Sequence, residues 1–193
     1  VDSRRTDFGI SLAFATEALS IAPIYYVLGN HEARLTKEFP ALEQRLTQLG
    51  VTILRNQEVT IHRDGQQIRI IGIDDPMTVT KKKEENEAVI LHTLSFMKPT
   101  PEIFTVLLSH RPELFEAYCQ NQIDLALTGH NHGGLIRLPW IGGLFAGGEF
   151  FPHYDEGVFQ QENTTMYLSR GAGNSSYTFR VNNRPEIAII TLA

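Results

Sequence analysis

Cysteine is nearly absent. Cys119 is the one thiol among 193 residues, so no intrachain disulfide can form and no thiolate cluster can hold a metal. A lone thiol fits a reducing compartment. Positive charge is sparse too. The 17 Lys and Arg are outnumbered by 22 Asp and Glu, for a net charge of −5, and the longest basic run is 81-KKK-83. A nucleic-acid partner is therefore not expected. No apolar run reaches the roughly 18 residues of a membrane-spanning helix. No signal peptide, internal repeat or low-complexity linker is recognisable. What is there has an ordinary globular balance, 42% hydrophobic and 20% charged. The length suits one domain over residues 1–193 with a sizeable core.

Hydrophobic spacing predicts a helix over 7–20, from Phe8, Leu12, Phe14, Ala15 and Leu19. After Pro23, 24-IYYVL-28 reads as a buried strand. Residues 40–50 read as a helix with Pro at its start and Gly at its end. Strands are expected over 51–54, 58–63 and 67–73, the last two joined by a hairpin turn at Asp64-Gly65. A helix over 83–96, a strand over 103–109, a helix over 112–120 and a strand over 123–129 follow. Residues 133–154 read as a long irregular segment rich in glycine and aromatics. Strands over 165–171 and 186–192 are expected to close the chain. Alternating strands and helices, with continuous apolar strands, predict an α/β fold whose strands are buried on both faces.

Polar residues gather just past three of these strands. The first runs into 29-GNHE-32, the second into His110 and the third into 129-GHNH-132. Ligands of open α/β sheets bind beyond the carboxyl ends of strands. Four of the seven histidines lie at these ends. Imidazole and amide donors suit Mn²⁺, Fe or Zn²⁺ better than Ca²⁺. His130 and His132 need not point the same way, so they could serve two neighbouring ions, an arrangement suited to attack on a phosphoester. Each piece has a plainer reading alone: Gly-Asn is most often a turn, and a histidine after a strand is more often a hydrogen-bonded structural residue. Their agreement in placement favours a metal site.

In order, 29-GNHE-32, His110 after an apolar strand and 129-GHNH-132 resemble the last three motifs of the calcineurin-like metallophosphoesterases. The segment 133-GGLIRLPWIGGLF-145 and the tail 168–192 resemble a bacterial branch with membrane-associated phosphoesterases and hydrolases of UDP-diacylglucosamine. The resemblance implies that Asn30, His110 and His130 bind one metal and His132 another. It implies that a metal-bridging hydroxide attacks phosphorus in line. His31 would not be a ligand but would face the leaving-group oxygen, and Glu32 would orient a neighbouring histidine or pair at the surface. His153, Arg170 and Asn174 are candidates for touching substrate. Two earlier motifs of the family, Asp-x-His and Gly-Asp, are not in the sequence. The opening Val1-Asp2-Ser3 resembles the residues that follow the second, and Asp2 itself matches no ligand. The fold implied is an αββα four-layer sandwich, incomplete and without its first βαβ unit. The chain would be the C-terminal portion of an enzyme, able to associate through an exposed sheet edge. Two divalent ions are implied for a complete enzyme and one or fewer for this chain.

Other residues read as scaffolding. Asp74-Asp75-Pro76 is a turn in preference to a catalytic carboxylate pair, Asp124 a cap, and His62 and His92 solvated. Trp140, Ile141, Leu144, Phe145, Phe150 and Phe151 sit on a glycine-flexible loop. That loop could be a lid, an acyl-chain contact, a membrane-interface lip or part of the core. The leading expectation is a metal-dependent phosphoesterase acting on a mono- or diester, lipid-linked or a nucleotide sugar. The alternative is a metal-binding fragment or pseudoenzyme without turnover, whose apolar loop binds a partner or a membrane.

Overall fold

The computed structural model describes residues 7–146, 148–173 and 179–192. The chain opens with α1 (Gly9–Leu19), β1 (Tyr25–Tyr26), α2 (Phe39–Leu49) and β2 (Thr52–Ile53). Pro40 sits in the first turn of α2, and Gly50 ends it at φ 106°, the two residues the sequence offered as its start and stop. β3 (Gln57–Arg63) and β4 (Gln66–Gly72) form the expected hairpin. Its turn residues Asp64 and Gly65 both have positive φ, 51° and 77°, which matches the right-handed twist of the strands. Then come α3 (Asn86–Ser95), β5 (Phe104–Leu108), α4 (Phe115–Gln120) and β6 (Leu125–Thr128). The irregular segment carries four two-residue strands, β7 (Arg137–Leu138), β8 (Gly142–Gly143), β9 (Phe145–Ala146) and β10 (Glu149–Phe150). A hairpin of β11 (Gly157–Gln161) and β12 (Thr164–Leu168) follows.

Six strands form one mixed sheet in the order β11-β12-β6-β5-β4-β3. The inner four run parallel and both edge pairs are antiparallel. β1 and β2 make a separate parallel pair. Alternation along the strands sorts the side chains into two faces. Ile71, Leu107, Ala126 and Met166 point to one face and pack against Ile90, Leu94, Phe115 and Tyr118 of α3 and α4. Ile70, Val106 and Leu125 point to the other, against Tyr25, Val27 and Leu54 around the small sheet. Beyond that sheet, Leu12 and Ala15 of α1 join Leu42 and Leu46 of α2. The layers therefore run helix, small sheet, large sheet, helix, the α/β arrangement expected. Gly72 lets the sheets approach: a Cβ there would lie 2.3 Å from Leu54 Cβ and 2.8 Å from Val27 Cγ1.

Two expectations fail. No strand forms over 186–192, where Ile187 and Ile189 are 79% and 93% exposed. The alternating apolar residues give strand propensity, but among the described residues no strand lies alongside to take the backbone hydrogen bonds. Conversely, β11 is a strand over a stretch to which the sequence pattern assigned no element. It forms as an edge strand on β12, through a turn in which Glu162 takes φ 52°.

Candidate metal centre

The parallel strands deliver their C-terminal ends to one place. The turn after β1 is built around Glu32, which is buried. Its carboxylate accepts from Gly29 N at 2.9 Å and Tyr26 Oη at 2.8 Å, so it fixes the turn that carries Asn30. Burial and Glu32 together push the Tyr26 phenol well above its usual range, so it stays a donor to that carboxylate. Gly29 is required for room: a Cβ would stand 3.1 Å from Glu32 Oε2 and from two ring carbons of His110.

Three donor atoms from three strand ends converge here. His110 Nε2, just past β5, is 3.0 Å from Asn30 Oδ1. His130 Nδ1, past β6, is 3.1 Å from His110 Nε2. The left-handed turn that aims His130 falls on the histidine itself, at φ 76°, and not on the preceding glycine. Burial, then the neighbouring His130, pulls His110 down to about 3. Burial, then Arg111, pulls His130 down to about 3. Both rings are therefore neutral near pH 7, the state in which imidazole can ligate.

Behind the cluster lies an ion pair that sequence reasoning did not assign to the site. Arg111 and Asp75 are both buried. Arg111 Nε and Nη2 donate to Asp75 Oδ2 and Oδ1 at 2.6 and 3.0 Å, and Nη1 reaches Glu113 at 3.2 Å and His130 Nε2 at 3.2 Å. The backbone of Arg111 is held as well, its carbonyl accepting from Tyr118 Oη at 2.5 Å. Asp75 also caps the turn after Pro76 by accepting from Met77 N at 3.0 Å. The turn expected at Asp74-Asp75-Pro76 is present, and its second carboxylate is a support beneath the site. The signal was two adjacent acids at a strand end, with an arginine beside the strand-end histidine.

The donor set fits one divalent ion. Among the described residues no group of three His, Cys, Asp or Glu side chains could hold a metal; here the third donor is an amide. Donors about 2.1 Å from one ion and at right angles across it lie about 3.0 Å apart, and His110 Nε2 lies at about that distance from each of the other two. Arginine only donates, so the contact from Nη1 makes His130 Nε2 an acceptor and Nδ1 an N–H directed at His110 Nε2. His110 Nε2 and Asn30 Oδ1 then face each other as two acceptors 3.0 Å apart, a contact that a cation relieves. His132, at φ 49°, turns Nδ1 toward Gly173 O at 3.2 Å and Arg180 Nη2 at 3.4 Å. Asn183 fastens the same turn by donating to His132 O at 2.7 Å.

These residues border a cleft of about 350 Å³, lined by Asn30, His31, Arg111, His130 and His132, with Arg34, Lys81 and Lys83 also on its lining. His153 lies in an adjoining hollow and stacks edge-on against Tyr154 at 4.5 Å. Arg170 is not among the cleft residues; its Nε pairs with Glu186 at 2.7 Å and Glu156 at 2.9 Å. Asn174 and the opening Val1–Ser3 lie outside the described residues. An apolar slot of about 200 Å³ adjoins the cleft, sharing Leu135 and Phe145 with it and adding Ile136, Leu144, Phe150 and Phe179.

No protein-family model matches the chain. It is 32% identical over 148 residues to an uncharacterized metallophosphoesterase of Bacillus subtilis, YkuE, covering 76% of this chain and 48% of that one. It is 30% identical over 192 residues to the phosphodiesterase YaeI of Escherichia coli, covering 96% of this chain and 66% of that one. A UDP-2,3-diacylglucosamine pyrophosphatase of Chlamydia muridarum, LpxG, is 29% identical over 146 residues, covering 72% of this chain and 40% of that one. Strand-end donors and named relatives together point to one family. The chain belongs to the calcineurin-like metallophosphoesterase family. It spans 40% to 66% of the length of these three relatives.

Proposed function

We propose that Asn30, His110 and His130 hold a divalent ion, Mn²⁺, Zn²⁺ or Fe, and that the cleft hydrolyses a phosphoester. The observation that carries this is the convergence of three donor atoms, from three strand ends, at 3.0 and 3.1 Å. Such an ion supplies a Lewis acid that acidifies water and polarises a phosphoryl oxygen. The chain's own residues bind and position. Arg34 and Lys81 on the cleft lining, with Lys83 paired to Glu149 at 2.8 Å, add positive charge there in an otherwise acidic chain, which draws in an anion. His31, on the cleft wall, passes a proton to the leaving-group oxygen. His132 lines the same cleft, and with its Nδ1 held by Gly173 O its Nε2 is the donor left for a second, weaker ion.

The substrate class we favour is a lipid-linked or nucleotide-sugar phosphoester. The apolar slot beside the cleft supports it, as does the relative named for UDP-2,3-diacylglucosamine. Trp140, Ile141, Phe150 and Phe151, all exposed, would then rest against a membrane surface, and His153 would meet the substrate at the margin of the cleft. A second reading, an ion-binding module without turnover, is favoured by the donor set: among the described residues no group of three His, Cys, Asp or Glu side chains could hold a metal. Hydrolysis of bis(p-nitrophenyl) phosphate by the Mn²⁺-loaded chain separates the two. The proposal expects turnover, with His31→Ala lowering kcat about a hundredfold while bound metal is kept. A loaded chain with no turnover would establish the second reading.

A further inference from the structure

The environment of His130 is unusual for a ligand. A metal-bound histidine ordinarily donates its other ring N–H to a carboxylate, carbonyl or water. Here the ring nitrogen away from the cluster, Nε2, faces Arg111 Nη1 at 3.2 Å. A guanidinium carries N–H donors only and stays charged. For Nη1 to donate, Nε2 must hold a lone pair, and a neutral ring then carries its proton on Nδ1. That is the nitrogen aimed at His110 Nε2, where a metal would need the lone pair. With Nδ1 bound to metal, the proton sits on Nε2, and two donors face each other at the Arg111 contact.

We propose that Arg111 competes with metal for His130: it holds the ring in the tautomer that cannot ligate, and metal uptake moves the proton from Nδ1 to Nε2 and displaces Nη1. The proposal rests on the reading that this cluster holds the ion. Only Nη1 has to give way. Nε and Nη2 keep Asp75, and Glu113 remains for Nη1 at 3.2 Å. Arg111 is thus a positioning residue that weakens and gates metal uptake. No proton leaves the site in the exchange, which relocates one proton within one ring.

The test reads tautomer and metal affinity, with no reliance on turnover. In the metal-free chain, ring ¹⁵N NMR shifts are expected to show His130 protonated at Nδ1. Arg111→Met should move that proton to Nε2 and tighten Mn²⁺ binding, measured by calorimetry, by about tenfold, the lower end of the effect of a ligand's neighbour. Arg111→Met leaves the Asp75 carboxylate buried and unpaired, so the double variant Arg111→Met/Asp75→Asn repeats the test without the stranded charge. Glu113→Gln, which leaves the His130 contact in place, should change neither reading. Equal or weaker Mn²⁺ binding in both Arg111 variants, or a wild-type ring protonated at Nε2 before metal is added, would overturn the proposal. If no variant and no wild-type chain binds Mn²⁺, the metal reading itself falls, and this proposal with it.

Discussion

His110 and His132 stand on similar footing in the sequence, each a histidine just past an apolar strand, yet the structure treats them differently. His110 leaves β5 directly, with the Ser109 hydroxyl held by Tyr118 Oη at 2.7 Å and the Arg111 backbone held by the same tyrosine. Its ring is fixed from both sides of the chain and meets its partners. His132 lies four residues past β6, in a turn where His130, His132, Gly133, Gly134 and Leu135 all take positive φ. Side chains from distant parts of the chain, Asn183 and Arg180, decide where it faces. A strand end inherits the precision of the sheet. A turn of left-handed residues takes the orientation its neighbours impose.

The energetic contrast between the two halves can be broken by substitution. Asp75→Ala removes the buried partner of Arg111 beneath the strand-end half and leaves it only the part-exposed Glu113, and should cost about 3 kcal/mol. The matching change in the loop half is Asp155→Ala, which removes the acceptor of Arg137 at 2.9 Å and Gly143 N at 2.7 Å. Both groups there are partly solvated, so about 1 kcal/mol is expected. Urea denaturation of the two variants reads both, and equal losses would erase the contrast.

A smaller effect should come from pH. His110 and His130 titrate at about 3 in the folded chain against 6.5 as the ordinary value, burial being the main cause in each. Between those values the unfolded chain binds more protons. Stability is therefore fully present above about pH 6.5 and falls as pH drops below it, by up to about 1.4 kcal/mol per unit for each ring. Denaturation of the metal-free chain at pH 6.5 and 5.5 should differ by about 2 kcal/mol, and this slope should flatten in His110→Ala. The smallest effect belongs to the loop tip. Trp140 is 90% exposed, so Trp140→Ala should leave stability within about 0.5 kcal/mol. A larger loss would mean that the loop packs on the core after all.

Much of this arrangement was readable from sequence, for physical reasons. Pro40 and Gly50 bound a helix, Asp64-Gly65 closes a hairpin, and the continuous apolar runs at 104–108 and 125–128 became parallel strands covered on both faces. Local chemistry encodes such features. Asn30, His110 and His130 were legible because strand ends are places where side chains converge. Arg111 and Asp75 were not, since an acidic pair before proline and an arginine after a histidine meet only through tertiary packing across 36 positions. Arg170, a candidate for substrate contact in the sequence, is engaged by Glu156 and Glu186, both brought from elsewhere in the chain. The run 186–192 shows the opposite limit: strand pattern alone forms no strand without a neighbour.

The most direct test counts metal on the purified chain after equilibration with Mn²⁺, by mass spectrometry of the native protein, beside His110→Ala and His132→Ala. The account predicts one ion per chain at stoichiometric protein, lost in His110→Ala and kept in His132→Ala. An ion that survives His110→Ala, or one that departs with His132→Ala, would contradict the assignment of the strand-end cluster as the metal centre.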